Sequence, residues 1–382
     1  MTRREVPPPE STPRDVLIVG GGPVGLLLAV LLAQHGIDVQ VLERRDTVST
    51  RTRAIGIHPP ALAVLAEAGV ADEVLRLSAP ISEGVARSGG RTLGRLKFEP
   101  AIRSLPQWQT EQLLRARLER LRPGALRLGV EALRIAHGDG IVRVVTADDI
   151  LDARFVVAAD GARSRIRDSV GIGWRPLAGR AHYLMADLPD TSRYGSTAVL
   201  SFERAGVVES FSMPGNRRRW VALTESSVSS PTVNKLADIV KRRTGDTIVV
   251  DGDASAFEAR QHLATRMVRG RMALVGDAGH EISPIGGQGM NLGWLDAADL
   301  ASTLAEALRH SESDLFAGLM LTGYDRRRRR SAWIAARQAG FNMAMGRPAG
   351  GVALAARTAL MRTLASPPTR ALLAKAFTMR WL

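Results

Sequence analysis

A glycine-rich turn near the amino terminus has the spacing of a dinucleotide-binding motif, Gly20-x-Gly22-x-x-Gly25. Gly20 permits a tight turn, Gly22 lets the backbone approach a pyrophosphate, and Gly25 lets a helix pack closely on a strand. A helix that starts at Pro23 would direct amide donors and a partial positive charge at the phosphates. Glu43 ends the next predicted strand, where its carboxylate can accept hydrogen bonds from ribose hydroxyls. The motif predicts a dinucleotide site without choosing between FAD and NAD.

Two later segments have residues suited to the same kind of ligand. The first is 160–167, with the sequence DGARSRIR, directly after a predicted strand that ends at Ala159. The second joins 276–280 (GDAGH) to 284–291 (PIGGQGMN), ahead of a predicted long helix. Around the first glycine motif, strand, helix, second strand and acid are in register. A chance glycine cluster in a parallel α/β fold is therefore the weaker explanation.

Together, the three segments resemble the three fingerprints of the FAD-dependent aromatic hydroxylases, the para-hydroxybenzoate hydroxylase-like flavoprotein monooxygenases. The resemblance spans about residues 15–309, and the closing Gly-Gln-Gly-x-Asn is especially similar to the ubiquinone-biosynthesis and tetracycline-modifying branches. It implies FAD as cofactor and NAD(P)H as co-substrate. It also implies transfer of one oxygen atom from O2, through a flavin C4a-hydroperoxide, to an electron-rich aromatic ring. Because the chain has no cysteine, a flavin attached through sulfur is excluded.

The third motif has a physical rationale beside the resemblance. Asp277 follows a strand, where its carboxylate can accept a hydrogen bond from a ribityl hydroxyl. After Pro284, glycines such as Gly287 let backbone lie against a flat ring. The helix that begins near Gly289 directs its positive end there, which stabilises a negative charge on the reduced ring by about 0.3–2 kcal/mol.

The resemblance implies a set of cofactor-binding positions. Asp160 and Arg167 match positions that serve both FAD and NAD(P)H, although an acid–base pair that closes a strand–helix turn explains them equally well. Gln107 matches the ribityl-binding glutamine, with Gln109 as the alternative, and Arg53 is favoured over Arg51 beside the flavin. The full set is Gly20, Gly22, Pro23, Val24, Gly25, Glu43, Arg44, Arg53, Gln107, Asp160, Gly161, Arg167, Gly276, Asp277, Pro284, Gly287, Gly289, Met290 and Asn291.

The catalytic residues are not identified by the sequence. His58, His182, Tyr183 and Pro284 are candidates, although the first three are more readily explained as lone polar residues of a sheet or loop than as catalytic groups. A phenol would be the natural substrate, since loss of its proton raises the nucleophilicity of the ring. The base that removes this proton is not apparent. No metal-ligand spacing stands out, and His280 is interpreted as a local hydrogen-bonding group in a turn.

The elements that position these motifs predict an α/β fold. We expect a Rossmann-like FAD-binding domain with an inserted antiparallel β-sheet substrate domain and a C-terminal helical segment. A charge-free apolar run, residues 16–37, has the glycines of a strand–turn–helix rather than the pattern of a membrane span. We expect strands at 15–19 and 38–42, a helix at 23–35, and an irregular segment at 79–106. The expected divisions are a flexible leader (1–13), the FAD-binding domain (14–78, 105–172 and 262–325), the substrate domain (79–104 and 173–261) and a basic helical segment (326–382).

Charge is concentrated at one end of the chain. The 382 residues have a formal net charge of +14, and residues 326–382 contain eleven arginines, one lysine and no acid. Aromatic residues are 4% of the chain, too few for the stacking platforms of single-strand nucleic-acid binders, so we expect no nucleic-acid partner. Basic and apolar residues in 352–382 have the composition of a helix at an anionic membrane surface, so a peripheral membrane contact is one hypothesis. The favoured interpretation is that these helices cap the FAD domain.

The sequence therefore predicts a single-component FAD monooxygenase that hydroxylates a small phenolic, polyketide-like or quinone-precursor molecule. The length favours the compact branch of the family, without an additional thioredoxin-like domain. Epoxidation and ring oxygen insertion stay open, as do an FAD-dependent reductase of an isoprenoid and a flavoprotein that binds without turnover. We expect a cytoplasmic protein without a targeting segment, either a monomer or a homodimer.

Overall fold

The computed structural model describes residues 12–47, 54–138, 140–310, 314–367 and 369–381. The strands are β1 (Arg14–Val19), β2 (Val39–Glu43), β3 (Gly56–Ile57), β4 (Ala79–Ser88), β5 (Arg91–Ser104), β6 (Leu126–Leu128), β7 (Arg134–His137), β8 (Val142–Val145), β9 (Ile150–Ala158), β10 (Trp174–Pro176), β11 (Ala181–Pro189), β12 (Thr197–Glu203), β13 (Gly206–Met213), β14 (Arg217–Thr224), β15 (Ala254–Ala259), β16 (His262–Ala264), β17 (Val268–Arg269), β18 (Met272–Leu274) and β19 (His280–Glu281). The helices are α1 (Pro23–Gln34), α2 (Pro59–Glu67), α3 (Ala71–Leu77), α4 (Gln107–Leu121), α5 (Arg165–Ser169), α6 (Val233–Thr244), α7 (Gln288–Arg309), α8 (Asp314–Gly346), α9 (Gly351–Leu364) and α10 (Thr369–Phe377).

The first sheet has a parallel core in the order β18-β9-β1-β2-β6, with β1 at its centre. Its central strands are buried on both faces, which is why β1 ends in the apolar run Val-Leu-Ile-Val and β9 ends in Phe-Val-Val-Ala. Helices α1 and α7 pack on this sheet and complete the main hydrophobic core. This arrangement confirms the predicted Rossmann-like α/β architecture, in which ligands bind at the carboxyl ends of the strands.

The second sheet has the order β15-β11-β14-β13-β12-β4-β5-β3 and is antiparallel except for the β12–β4 pair. The expectation that residues 79–106 are irregular was wrong, because β4 and β5 form a long antiparallel pair there. Their glycines and charged residues hide the alternation that marks a half-buried strand. Helix α6 covers one face of the sheet with apolar residues, and the other face is turned toward the first sheet.

The basic C-terminal segment starts inside one helix. The predicted boundary at 325/326 falls within α8, a helix of 33 residues that packs on α7. After it, α9 and α10 lie on β5 of the second sheet. The end of the same segment also packs Met379 against Leu292 of α7 and Ala335 of α8, so it contacts the FAD domain as well. Where α9 and α10 meet the sheet, a Cβ atom on Gly94 would lie 2.1 Å from the Cβ of Ala365, so the contact requires glycine. In the part of the chain that the structure describes, no helix is both long and apolar enough to cross a membrane.

Arg357 anchors α9 to the second sheet. Its guanidinium donates to the carbonyl oxygens of Met345 (3.0 Å) and Arg347 (2.6 Å) at the end of α8. It also donates to the carbonyl oxygens of Phe202 and Glu203 at the end of β12, both at 3.0 Å. One buried cation therefore satisfies four carbonyls and joins the C-terminal helices to the sheet.

Replacing this cation should loosen the C-terminal helices. We expect Arg357→Met to lower the free energy of unfolding by about 1.5–3 kcal/mol, because buried carbonyls lose charge-assisted hydrogen bonds. Amide hydrogen exchange in residues 351–364 should also be faster in this variant than in the wild type. Arg362→Met, at an exposed position of the same helix, is the matched control. Equal exchange in the two variants would contradict the anchoring role of Arg357.

Candidate cofactor and substrate site

The glycine turn after β1 is held by very close backbone packing. Gly20 has a φ of 115°, and a Cβ there would lie 2.3 Å from the carbonyl oxygen of Ala159. A Cβ on Gly25 would lie 2.0 Å from the carbonyl oxygen of Gly20. Helix α1 can therefore approach β1 and β9 only because both positions lack a side chain. The turn brings the helix start to the carboxyl ends of the central strands.

Helix α1 presents its first amides without a side-chain cap. Gly22 is the N-cap residue, Pro23 begins the helix, and no side chain caps it. A Cβ on Gly22 would meet no atom within 4 Å, so the space next to this residue is open. Uncapped amides with open space in front of them are the donor set that a pyrophosphate needs.

Glu43 lies beside this turn and is 5% exposed. Its carboxylate accepts from the backbone N–H of Gly21 (2.8 Å) and from the backbone and side chain of Arg45 (3.0 and 2.8 Å). Burial opposes ionisation, but the hydrogen bonds and charge of Arg45 hold the pKa of Glu43 below its ordinary value. The carboxylate thus stays ionised at the point where the sequence predicted a ribose contact.

The second motif connects to the third through Arg167. This side chain is 2% exposed and donates to the carbonyl oxygens of Ala162 (3.1 Å) and Ala278 (3.2 Å). Its guanidinium also lies 3.9 Å from the ring centre of Trp174. Asp160 accepts from the backbone N–H of Ile166 through Oδ2 (3.3 Å), whereas its buried Oδ1 has no partner among the described residues. Burial raises the pKa of Asp160.

A buried ionic cluster around Asp296 holds the third motif on the side away from the cavity. The Asp296 carboxylate accepts from the backbone N–H of Gly276 (3.0 Å) and contacts His280 Nε2 (2.5 Å) and Arg328 Nε (2.6 Å). Burial opposes its ionisation, but the charges of His280 and Arg328 hold the pKa of Asp296 low. His280 is fully buried behind the turn, in keeping with a local structural role. The cluster orients the turn so that Asp277 faces the open side.

The loop before α7 is held by Asn291 and His58. Asn291 accepts from the backbone N–H of His58 (2.8 Å) and donates to the carbonyl oxygens of Gly56 (2.9 Å) and Gly287 (2.7 Å). His58 Nε2 lies 3.2 Å from the carbonyl oxygen of Gly286. Gly287 has a φ of 66° and forms the N-cap of α7 without a side-chain cap. The first turn of α7 therefore presents free amides next to Pro284 and the loop glycines.

These motifs open onto one cavity of about 2110 Å³. Ligand pockets usually measure about 300–1,000 Å³, so this one has room for a dinucleotide and a second molecule. Gln107 lies on its wall and donates to Glu111 (2.8 Å); Gln109 does not line it. The predicted residues that line the cavity are Gly20, Gly22, Pro23, Val24, Glu43, Arg44, His58, Gln107, Asp160, Gly161, Arg167, Asp277, Pro284, Gly287, Gly289 and Met290.

Other predicted residues do not reach the cavity wall. Gly25, Gly276 and Asn291 support the turns from behind. His182 and Tyr183 lie on β11 away from the wall, and the Tyr183 hydroxyl is buried without a partner in the described part of the chain. Burial raises the pKa of Tyr183 well above its ordinary value. Arg51 and Arg53, together with residues 1–11 of the predicted leader, lie outside the described residues.

Two groups of cavity residues were not predicted. Trp174 stacks on His262 with ring centres 5.4 Å apart, and His262 Nδ1 lies 2.7 Å from a carboxylate oxygen of Glu281. Asp187 and Glu209 project from the second sheet into the cavity. Asp187 is paired with Arg219 through two hydrogen bonds of 2.6 and 2.8 Å. The sequence signal that could have indicated them is a charged residue within a predicted apolar strand, such as Glu209 within 207–211.

The cavity fits an FAD molecule by its donor set and by its space. It offers uncapped amides at two helix starts, an ionised Glu43 and an open position beside Gly22. Asp160 adds a buried acceptor without a partner in the described residues. A dinucleotide with a flat ring at one end would meet the α1 amides with its phosphates and the α7 loop with its ring.

Comparison with known proteins agrees with this site. The family model for the FAD binding domain matches residues 14–339. The chain is 33% identical over 333 residues to 6-methylpretetramide 4-monooxygenase of Streptomyces rimosus, covering 81% of this chain and 58% of that protein. It is 34% identical over 316 residues to 3-(3-hydroxy-phenyl)propionate/3-hydroxycinnamic acid hydroxylase 2 of Burkholderia vietnamiensis, covering 76% of this chain and 56% of that protein.

The chain belongs to the FAD-binding domain family, the FAD-dependent aromatic hydroxylases. It spans a little more than half the length of these two relatives. The crystal structure of p-nitrophenol 4-monooxygenase from Pseudomonas putida has the same fold, with a TM-score of 0.87 and 24% sequence identity. That match covers 96% of this chain and 97% of that chain. The fold and its cofactor class, FAD, are thereby established.

His58 should make stability depend on pH. Burial lowers the pKa of His58 from 6.5 to about 4, so the folded protein keeps the ring neutral. The unfolded chain binds the proton at a higher pH. The contribution of His58 is therefore fully present above about pH 6.5 and is lost as the pH falls toward 4, by about 3 kcal/mol.

We expect His58→Gln to lose less unfolding free energy than the wild type between about pH 7 and pH 4. Denaturant unfolding at a series of pH values measures this difference. His310→Gln, at an exposed position, is the control and should keep the pH dependence of the wild type. Parallel curves for the wild type and His58→Gln would show that His58 is not held neutral.

Proposed function

We propose that this chain is a single-component monooxygenase that uses NAD(P)H and O2 to hydroxylate an aromatic small molecule. The observation that carries the proposal is the single cavity that runs from the glycine turn at Gly20 to the apolar face of the second sheet. Similarity to 6-methylpretetramide 4-monooxygenase and to a hydroxycinnamic acid hydroxylase supports the reaction class. A phenolic, polyketide-like or quinone-precursor molecule is the proposed substrate, in a cytoplasmic enzyme that is a monomer or a homodimer.

The contacts of the lining residues support a cofactor role for one end of the cavity. The α1 amides at Gly22–Pro23 would hold the pyrophosphate, and Glu43 with Arg44 would face the adenosine ribose. Gln107 and Asp277 would bind the ribityl chain. The loop from Pro284 and the start of α7 would lie against the flat ring and stabilise negative charge there by about 0.3–2 kcal/mol.

Bound FAD would accept two electrons from NAD(P)H and activate O2 for transfer of one oxygen atom. These 382 residues contain no second Gly-x-Gly-x-x-Gly motif, and we infer that the reductant binds transiently across the same cavity. Asp160 and Arg167, on the cavity wall, are proposed to serve both nucleotides. The α9–α10 pair and the second sheet would exclude water from the aromatic substrate, which limits wasteful loss of activated oxygen.

Oxygen consumption tests this function. With NAD(P)H alone we expect slow uptake of O2, and with a phenol or naphthol substrate faster uptake in proportion to hydroxylated product. Asp277→Ala should bind FAD roughly 10- to 150-fold more weakly, because it loses a charge-assisted hydrogen bond, and should lose uptake at limiting FAD. Asp148→Ala, at an exposed position, is the control. Substrate turnover without O2 would indicate a reductase, and binding without turnover would indicate a carrier.

The membrane contact of the C-terminal segment stays a prediction. The inner faces of α9 and α10 pack on the second sheet, while Val352 (87% exposed) and Leu372 (71% exposed) project outward. Arg362, Arg370 and Lys375 are exposed on the same two helices. We propose that this surface binds anionic lipid, to which each basic residue contributes about 1 kcal/mol.

Vesicle sedimentation tests the contact. We expect the protein to sediment with anionic vesicles at low salt, to be released at high salt, and not to bind neutral vesicles, because the attraction is screened within a Debye length. A variant with Arg362, Arg370 and Lys375 replaced by Gln should bind more weakly. Equal recovery in the supernatant under all conditions would exclude the contact.

A further inference from the structure

Glu209 occupies the centre of the cavity-facing side of the second sheet. It is 4% exposed and lines the cavity. Strand pairing places it opposite Val221 on β14 and Leu200 on β12. Because directly paired residues project to the same face, these residues belong to one row across the sheet. The row is Ser255, Met185, Val221, Glu209, Leu200, Ala86 and Gly94, and every member lines the cavity.

The other members of this row are apolar or small. Among the described residues, Glu209 has no ion-pair partner and no hydrogen bond to its carboxyl group. Nearby, Arg219 is engaged by Asp187, one row away on the same face. An apolar wall with a single unengaged carboxyl group is the recognition pattern for a mostly apolar ligand with one hydrogen-bond donor.

The loop at Pro284–Gly287, which would face the flavin ring, lies next to the row that contains Glu209. Ile285 of this loop packs in one cluster with Val221, the direct neighbour of Glu209, and with Met343 and Met345 at the end of α8. A molecule lying on the row at Glu209 would therefore also be next to the loop at Pro284–Gly287. The carboxyl group is placed on the substrate side of the cavity.

We propose that Glu209 is the substrate-contact residue that accepts the hydroxyl proton of a neutral phenol held in this cavity. In that step the phenol O–H bond breaks and the proton forms a new O–H bond on the Glu209 carboxylate. The electron pair stays on the phenol oxygen, where it is delocalised into the ring and makes the ring more nucleophilic. This inference rests on the proposed monooxygenase function. It identifies the base that removes the phenol proton, which the sequence did not reveal.

The acidity of Glu209 suits this role. Burial raises its pKa to about 7, so at neutral pH the carboxylate and its protonated form are both populated. A base with a pKa near the working pH transfers protons most effectively. In the adjacent rows, burial raises the pKa of Tyr183, and Arg219 is paired with Asp187. His58, which lines the same cavity, has a pKa of about 4 because it is buried. Arg347 acts on Tyr183 from the end of α8.

Binding of a matched pair of probes tests the inference on FAD-loaded protein. The probes are 2-naphthol, which donates a hydrogen bond, and 2-methoxynaphthalene, which only accepts one. With a group of pKa about 7, naphthol should bind up to about 10-fold more tightly at pH 8 than at pH 6, because it prefers the carboxylate. The ether should show the opposite dependence, because it prefers the protonated acid. Equilibrium dialysis measures both.

Variants separate Glu209 from other causes. Glu209→Gln should bind both probes without pH dependence and bind naphthol at pH 8 roughly 10- to 100-fold more weakly. Glu209→Asp should restore the opposite pH slopes, and Glu225→Gln, exposed after β14, should behave as the wild type. Infrared difference spectra of the wild type should show a protonated carboxyl band that disappears between about pH 6 and pH 8. Glu209→Gln should lack this band.

The outcomes are distinguishable from failure of the proposed function. Persistence of the pH slopes in Glu209→Gln, equal slopes for the two probes, or no binding of naphthol would each overturn the inference about Glu209. Oxygen uptake is measured on the same FAD-loaded samples. Glu209-dependent binding without oxygen uptake would overturn the monooxygenase proposal and retain Glu209 as a phenol contact.

Discussion

The close contact between the glycine turn and the neighbouring strands is the constraint on which the site depends. Gly25 rests on the carbonyl of Gly20, and Gly20 rests on the carbonyl of Ala159, so α1 can start where β1 and β9 end. Helix α7 packs on α1 and on the third motif in the same close way. A Cβ at Gly293 of α7 would lie 2.7 Å from a methyl of Val24 and 3.0 Å from the Cα of Gly276. Two helix starts thus converge on one cavity because a glycine stands at each of these contacts. A single added methyl group at these positions has to displace backbone.

Buried charges hold the three motifs in one geometry. Arg167 joins the second motif to the third through two carbonyls, and Asp296 joins the third motif to α7 and α8. These partners are far apart in the sequence. Arg167 and Asp296 each make hydrogen bonds to more than one of them. Removing one partner from such a pair leaves an uncompensated buried charge, which usually costs more than the pair contributes. The basic run in α8 is therefore partly structural, since Arg328 is an interior residue.

The motifs and the first sheet could be predicted from sequence because their signals are local. Gly20, Gly22 and Gly25 lie within one turn, and β1 is an uninterrupted apolar run beside them. The second sheet was only partly predictable, since β4 and β5 lack clear alternation and β4 pairs with β12 from a distant part of the chain. Glu209 was not identified because its environment is set by register. Its neighbours Val221 and Leu200 become neighbours only when three strands pair.

The two ends of the cavity are built from different kinds of group. The proposed cofactor contacts use backbone amides and glycines, so they are encoded in short sequence motifs. The proposed substrate end of the cavity is lined by side chains from several strands and from α9 and α10, helices that Arg357 holds to the sheet. One substitution in a row such as that of Glu209 changes the chemistry of the wall without moving the backbone. The cofactor end of the cavity is therefore constrained by packing, and the substrate end is free to differ between proteins of the same fold.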